Sequence, residues 1–289
     1  MCFYISINQQ NRMTMKPEIE FETGKIVEYL EKYKEELPKK YKWDIKEDAL
    51  NKLENLTEEK INSSSAYEKA LNIKSVVSKK LNEVRKEKTL FNELSLWIIK
   101  DWGGIKSIND KETISEGTEK IINDFLNKVE KNENPNFERI ASSSKVGAFL
   151  NPHKYVIYDS RVIYSLNWII LSENAGQKFF PIPEGRNSKM AAFDMEVLIR
   201  LKNISNYHTE DIELLNNKKY INEKDGEVFI DRKVAYFQFV KLIKQINQQL
   251  WKGTDKEQNL YYTEMLLFSI ADKEVFREIT NKYASFRIC

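Results

Sequence analysis

The sequence predicts a mainly α-helical protein of two packed lobes with at most one small β-hairpin, and three observations carry that expectation. Apolar residues recur at helical spacing in one segment after another. Glycine and proline, which punctuate turns and break helices, number only 9 and 6 in 289 residues. Only residues 219–230, around Asp225-Gly226, have the turn chemistry of a hairpin. The length suits one large domain or one domain of two lobes, here residues 16–289.

In chain order, residues 1–15 read as a flexible N-terminal arm. The apolar start Cys2-Phe3-Tyr4-Ile5 is brief and lacks the basic flank and longer apolar core of a secretion signal. Residues 18–37 read as an amphipathic helix ended by Pro38, and residues 46–56 as a second. After a polar loop at 62–65, residues 66–99 keep helical periodicity, with Ile73, Val76, Val77, Leu81 and Val84 along one face. Lys79, Lys80, Arg85, Lys86 and Lys88 make a basic run there that reads first as a solvated face and second as a phosphate-facing stripe. The motif Lys100-Asp101-Trp102-Gly103-Gly104-Ile105 ends that apolar run with two glycines, which allow a sharp turn or a close backbone approach. A helix at 118–129 follows, then a linker at 132–136. Beyond residue 172, a loop at 172–189 carries Arg186 and Lys189 and is a natural place for substrate contacts. Helices are expected at 190–201, 236–251 and 260–279.

Composition narrows the function classes. The 46 Lys and Arg nearly balance 44 Asp and Glu, so attraction to nucleic acid has to come from a local patch rather than from net charge. The two cysteines stand at opposite ends, Cys2 and Cys289, which argues against a disulfide framework and suits a reducing, cytoplasmic setting. With His153 and His208 the only histidines, a histidine-rich metal centre is not expected, nor is a cofactor. No stretch reaches the roughly 20 apolar residues of a membrane span. A monomer is the expected state.

Residues 139–168 concentrate the chemistry. Ser142, Ser143 and Ser144 can cap a short helix whose first turn holds Lys145 and which Asn151-Pro152 ends. Residues 155–158 read as an extended apolar connector, and Asp159 stands where a helix N-cap belongs, ahead of Val162, Ile163, Leu166, Ile169 and Ile170. A helix N-terminus favours the Asp159 anion and disfavours a protonated Lys145. An amine pushed toward neutrality is a nucleophile, and a nearby carboxylate can stabilise a developing sugar cation. The same residues also allow a plain reading, with Asp159 only a cap and Lys145 only a solvated side chain. Ser142 and Lys145 further match the Ser-x-x-Lys acylation motif, whose SDN and KTG partners the chain lacks.

The run Lys145-Val146-Gly147-Ala148, followed by Leu150-Asn151-Pro152-His153-Lys154-Tyr155-Val156-Ile157-Tyr158-Asp159-Ser160-Arg161-Val162, resembles the active-site segment of the helix-hairpin-helix DNA glycosylases. The likeness is greatest to the 8-oxoguanine DNA glycosylase fold and covers roughly thirty residues. The resemblance implies a DNA substrate carrying a damaged or modified base, in repair or in defence against modified foreign DNA. It implies Lys145 as a Schiff-base lysine, with strand cleavage a possible second step, and Asp159 as the catalytic aspartate. Ser142, Ser143, Ser144 and Arg161 are then candidates for phosphate contacts, and Trp102 for stacking on a flipped base.

Two other classes remain in view. Asp231-Arg232-Lys233, after an apolar run, resembles the D-x-K end of a metal-dependent nuclease, although the spacing of Asp225 does not suit the partner acid and the chain is more helical than such a nuclease. A non-catalytic helical DNA-binding or interaction module would need neither pair. Geometry separates the three: a glycosylase brings Lys145 and Asp159 to one cleft, a nuclease gathers acids around Asp231, and a module does neither.

Overall fold

A computed structural model describes residues 19–105, 115–185 and 187–284; the expected N-terminal arm and Arg186 lie outside them. The protein is mainly helical, as the periodicity predicts. Among the described residues two isolated bridges, Phe21 with Gly176 and Phe179 with Phe229, are the only β pairing. None of the described helices is long and apolar enough to cross a membrane.

The N-terminal part holds α1 (Thr23–Lys34), α2 (Leu37–Lys40) and α3 (Glu47–Thr57). Pro38 does not end the first helix but opens the second, where its missing N–H and fixed φ fit a first turn. The periodic segment 66–99 is two helices, α4 (Ala66–Glu83) and α5 (Lys88–Trp97), with a wide π turn at Ile98–Trp102. Ser65 caps α4 by accepting from the Glu68 N–H, the expected chemistry for Ser three residues ahead of Glu. Next come α6 (Glu116–Glu130), α7 (Ile140–Leu150) and α8 (Ser160–Ser172). In this first half α4 and α6 pack on α7, and α3 packs on α5.

The second half continues with α9 (Ser188–Ala192), α10 (Met195–Lys202), α11 (Ile204–Tyr207), α12 (Ile212–Asn216) and α13 (Tyr220–Val228). It closes with α14 (Arg232–Leu250), α15 (Tyr261–Ile270), a second π turn at Ala271–Val275, and α16 (Phe276–Tyr283). The expected hairpin at 219–230 is instead α13. Asp225 is not a turn residue: its carboxylate takes both arms of the Arg200 fork, at 2.9 and 2.8 Å, and the Tyr207 hydroxyl at 2.9 Å. A glycine inside a helix costs about 1 kcal/mol against alanine, and here the docking of buried Tyr220 and Val228 together with the Asp225 knot offsets it.

Helix α8 lies against α15, α10 and α1 and is apolar on every side, the pattern of a helix enclosed by others. Its one amide, Asn167, is fully buried and answers the backbone of Phe180 in both directions, donating at 2.8 Å and accepting at 2.9 Å. The indole of Trp168 donates to Glu278 at 2.9 Å, and Tyr29 and Tyr33 of α1 donate to the same carboxylate. These bonds hold the first residue of α8 at the edge of a large cleft.

Candidate active site

Helix α7 begins two residues before the expected serine cap. Arg139 takes the left-handed conformation at φ 52° and no side chain caps the helix, so the serines lie inside it. Lys145 therefore stands midway along α7, away from the N-terminal field the sequence suggested. Ser143 donates to the Arg139 carbonyl, and Ser144 accepts from the Tyr158 N–H at 3.0 Å. Of the three, Ser142 alone lines the cleft.

The connector after α7 is buried and has no strand partner, so its polar backbone groups need side chains. Ser144 takes the Tyr158 N–H, Glu264 takes the Ile157 N–H at 3.1 Å, and the Tyr236 hydroxyl donates to the Val156 carbonyl. The Tyr158 hydroxyl donates to the Pro181 carbonyl at 2.8 Å, tying the connector to the segment that Asn167 holds. So anchored, the connector delivers Asp159 to the head of α8. There Oδ1 accepts from the Arg161 N–H at 3.0 Å, as an N-cap does, and Oδ2 lies 3.2 Å from Lys145 Nζ. Lys145 is 4% exposed and also donates to the Ala141 carbonyl at 2.9 Å.

Both side chains open on a cleft of about 1670 Å³. Its walls include Tyr41 and Trp43, aromatic residues that were not singled out from sequence, and Phe268, which helical spacing assigns to the core. The Arg161 guanidinium lies over Phe268 at 4.9 Å and Trp43 at 5.5 Å, and its Nε is 3.3 Å from Asp272. Trp102 also lines the cleft but is 6% exposed, edge-on to Phe149 at 4.9 Å, and its carbonyl accepts from the Trp43 indole. Trp43, only half-buried, offers more ring to an incoming group.

The glycine pair serves both of the purposes it suggested. Gly104 has φ +65°, a left-handed turn against Trp43, while a Cβ on Gly103 would stand 2.6 Å from the Ile99 carbonyl and 3.0 Å from Lys145 Cδ. The π turn and its glycines thus press on the Lys145 stem, at the kind of local widening often found at functional sites.

Behind the first pair stands a second. Glu264 of α15, 4% exposed, lines the cleft, and Lys74 of α4 lies 3.8 Å from its Oε1. Lys74 is enclosed by the rings of Trp102, Phe149 and Tyr261, each about 5 Å away. Burial pushes the Lys74 ammonium down and the Glu264 carboxyl up from their ordinary ranges, and each partner opposes the other's shift. Sequence offered a signal for Glu264, a lone acid within the apolar run YYTEMLLFSI, and one for Lys74, a lysine on the helix face that also carries Ile73, Val77 and Leu81; for Trp43, in a polar segment, it offered none.

The acids named for a nuclease are placed otherwise. Asp231 caps α14 by accepting from the Lys233 N–H, and Asp225 is held by Arg200. Among the described residues no group of three or more His, Cys, Asp and Glu side chains is arranged to hold a metal ion. Comparisons with protein-family models, with curated proteins and with solved structures find no match to this chain.

Proposed function

We propose that this protein is a DNA glycosylase that excises a damaged or modified base through Lys145. The observation that carries the reading is the 3.2 Å approach of Lys145 Nζ to Asp159 Oδ2 at one cleft, between side chains fourteen positions apart on different elements. The resemblance of residues 145–162 to the helix-hairpin-helix glycosylases supports it. In this reading the two lobes are the helices packed around α4 and α7 and those packed around α8 and α15, with the flipped nucleotide entering between them.

Lys145 attacks the anomeric carbon as the bond to the base breaks, giving an aminal; its C1′–O4′ bond then opens, O4′ taking the electron pair and the proton that Asp159 has carried from the lysine nitrogen, and an iminium is left. Asp159 accepts the proton that the lysine nitrogen sheds and counters the positive charge that develops on the sugar. The buried setting supports this division, because a carboxylate acts more strongly on a nearby cation where water is excluded. Trp43 and Phe268 bring aromatic surface to the cleft wall for a base, and Arg161, stacked over both rings, supplies a charge for a phosphate.

Borohydride trapping tests the reading directly. A panel of duplex and single-stranded oligonucleotides carries 8-oxoguanine, uracil, alkylated bases, hydroxymethylcytosine with and without glucose, and an abasic site. We expect a covalent adduct with the wild type that Lys145→Ala abolishes and Asp159→Asn reduces by ~10²-fold or more. DNA that binds but is neither trapped nor cleaved at its glycosidic bond would move the protein to the class of binding modules.

A further inference from the structure

Resting on the glycosylase reading, we propose that Glu264 is the general acid of the reaction: it faces the cleft beside Lys145 and Asp159 and gives its proton to the departing base, with Lys74 balancing the charge left behind. Glu264 stands in the apolar helix α15, where a buried carboxyl needs a reason. Among the described residues its one hydrogen bond is from the Ile157 N–H to Oε2. Oε1 is turned toward Lys74 at 3.8 Å, too far for a hydrogen bond, and so retains capacity for a group in the cleft.

The titratable groups around Glu264 come from five elements. They are Lys74 on α4, Lys145 on α7, Asp159 at the head of α8, Tyr236 on α14, and Tyr41 just after α2. Burial and the Asp159 charge favour the protonated carboxyl, while the two lysines and the Ile157 N–H favour the anion. The balance keeps the proton to higher pH than an ordinary carboxyl does, the direction a proton donor needs. Two carboxyls with unequal tasks at one glycosidic bond is a recurring arrangement.

In the step itself the C1′–N bond breaks and its electron pair goes to the base. The Glu264 O–H bond breaks and its proton joins the base nitrogen, while Lys145 Nζ bonds to C1′. The base leaves neutral, and the glutamate left behind pairs with the Lys74 ammonium. The substrate class follows: a base that is neutral in DNA and would be a poor leaving group as an anion. A base that already carries positive charge needs no such proton.

That contrast is the test. Single-turnover excision of the neutral lesion that the trapping panel identifies is compared with excision of N7-methylguanine, a cationic base, and with trapping on an abasic site, which has no base to protonate. The variants are Glu264→Gln, whose amide oxygen can still accept from Ile157, and Lys74→Met/Glu264→Gln, which removes both buried charges together. We expect each to slow excision of the neutral base by ~10²-fold or more, and to leave N7-methylguanine excision and abasic trapping within about threefold of wild type. In the wild type the neutral-base rate should fall as pH rises through the Glu264 titration, and in Glu264→Gln that limb should vanish. Equal losses on all three substrates would mark a structural role and overturn the proposal, as would no loss at all, or a wild type that excises only the cationic base. Failure of the wild type to trap any oligonucleotide, the abasic site included, removes the glycosylase reading itself and the acid with it.

Discussion

The helices that line the cleft and the short helices at residues 194–228 are built on opposite terms. Around the cleft, α7, α8 and α15 are buried on nearly every side, and their polar groups find specific partners: Ser144 with Tyr158, Asn167 with Phe180, Glu264 with Ile157 and Lys145 with Asp159. In the outlying segment, α11 and α12 bury no residue at all. Val197, Leu201, Ile204, Ile212, Leu214, Leu215 and Ile221 are exposed there. What shapes that segment is local polar chemistry, caps from Asp194 and Asp211 and the knot of Arg200, Tyr207 and Asp225. Close packing fixes positions to a fraction of an ångström, whereas caps and surface pairs set direction and leave local opening inexpensive. Reaction geometry belongs in the first kind of structure.

The largest expected effect tests the packing half of this contrast. Trp168 is buried among α1, α8 and α16, so Trp168→Ala should cost ~3–5 kcal/mol through its cavity and the lost bond to Glu278. Denaturant melts would measure it, and a loss under about 1 kcal/mol would show that the α8 surroundings relax more easily than close packing allows. Next is Gly103→Ala, whose new methyl meets the Ile99 carbonyl at 2.6 Å and Lys145 at 3.0 Å. We expect a cost of ~1–3 kcal/mol and, on the glycosylase reading, weaker abasic trapping, since the displaced group is the Lys145 stem. Full trapping with unchanged stability would mean that the π turn does not set the Lys145 position.

A smaller effect should separate the outlying knot by its pH response. The Arg200 fork, with help from Tyr207, holds the Asp225 carboxyl below the ordinary carboxylate range, against partial burial. Because the folded value is depressed, the knot contributes fully at pH above the unfolded carboxylate range and is lost as pH falls through the folded value. Protection factors at α10–α13, which correct for the intrinsic slowing of exchange in acid, should therefore fall on acidification in the wild type before those in α8 do. Asp225→Asn should lose ~1–2 kcal/mol of local protection at neutral pH and most of that acid sensitivity. Uniform exchange across both regions would join them into one cooperative unit.

The same contrast explains what the sequence made legible. The helices α3, α6 and α14 show in the spacing of their apolar residues because burial on one face imposes a period, and Asp159 shows as a cap because a cap needs that chemistry at that place. Lys145 and Asp159 could be named together, but the start of α7 could not be found. Three serines look like a cap, yet Arg139 in a left-handed turn starts the helix earlier and the serine hydroxyls bond inside the protein. At residues 219–230 an Asp-Gly turn signal lost to a tertiary pair, since nothing local announces that Arg200 will grip Asp225. The π turn at Ile98–Trp102 was hidden too, because apolar residues run on through it, while the break between α4 and α5 falls in the charged run Arg85-Lys86-Glu87-Lys88, which carries no glycine or proline to mark it. Tyr41 and Trp43 reach the cleft, and Lys74 reaches Glu264 behind it, from chain segments far from residues 139–168, a convergence that only the folded chain supplies.

The smallest expected effect is the sharpest probe of the outlying half. Ile212 is 71% exposed at the start of α12, a helix capped by Asp211 through the Glu213 and Leu214 N–H groups. A side chain already in water has little transfer free energy to lose, so Ile212→Ser should change global stability by no more than ~0.5 kcal/mol. Asp211→Ala, at the neighbouring position, removes a cap and should cost ~1 kcal/mol, felt as faster exchange in α12 and not as a lower global melting point. If Ile212→Ser instead costs several times more than the loss of the cap, apolar contact rather than local polar chemistry holds this segment, and the division between the two halves of the molecule fails there.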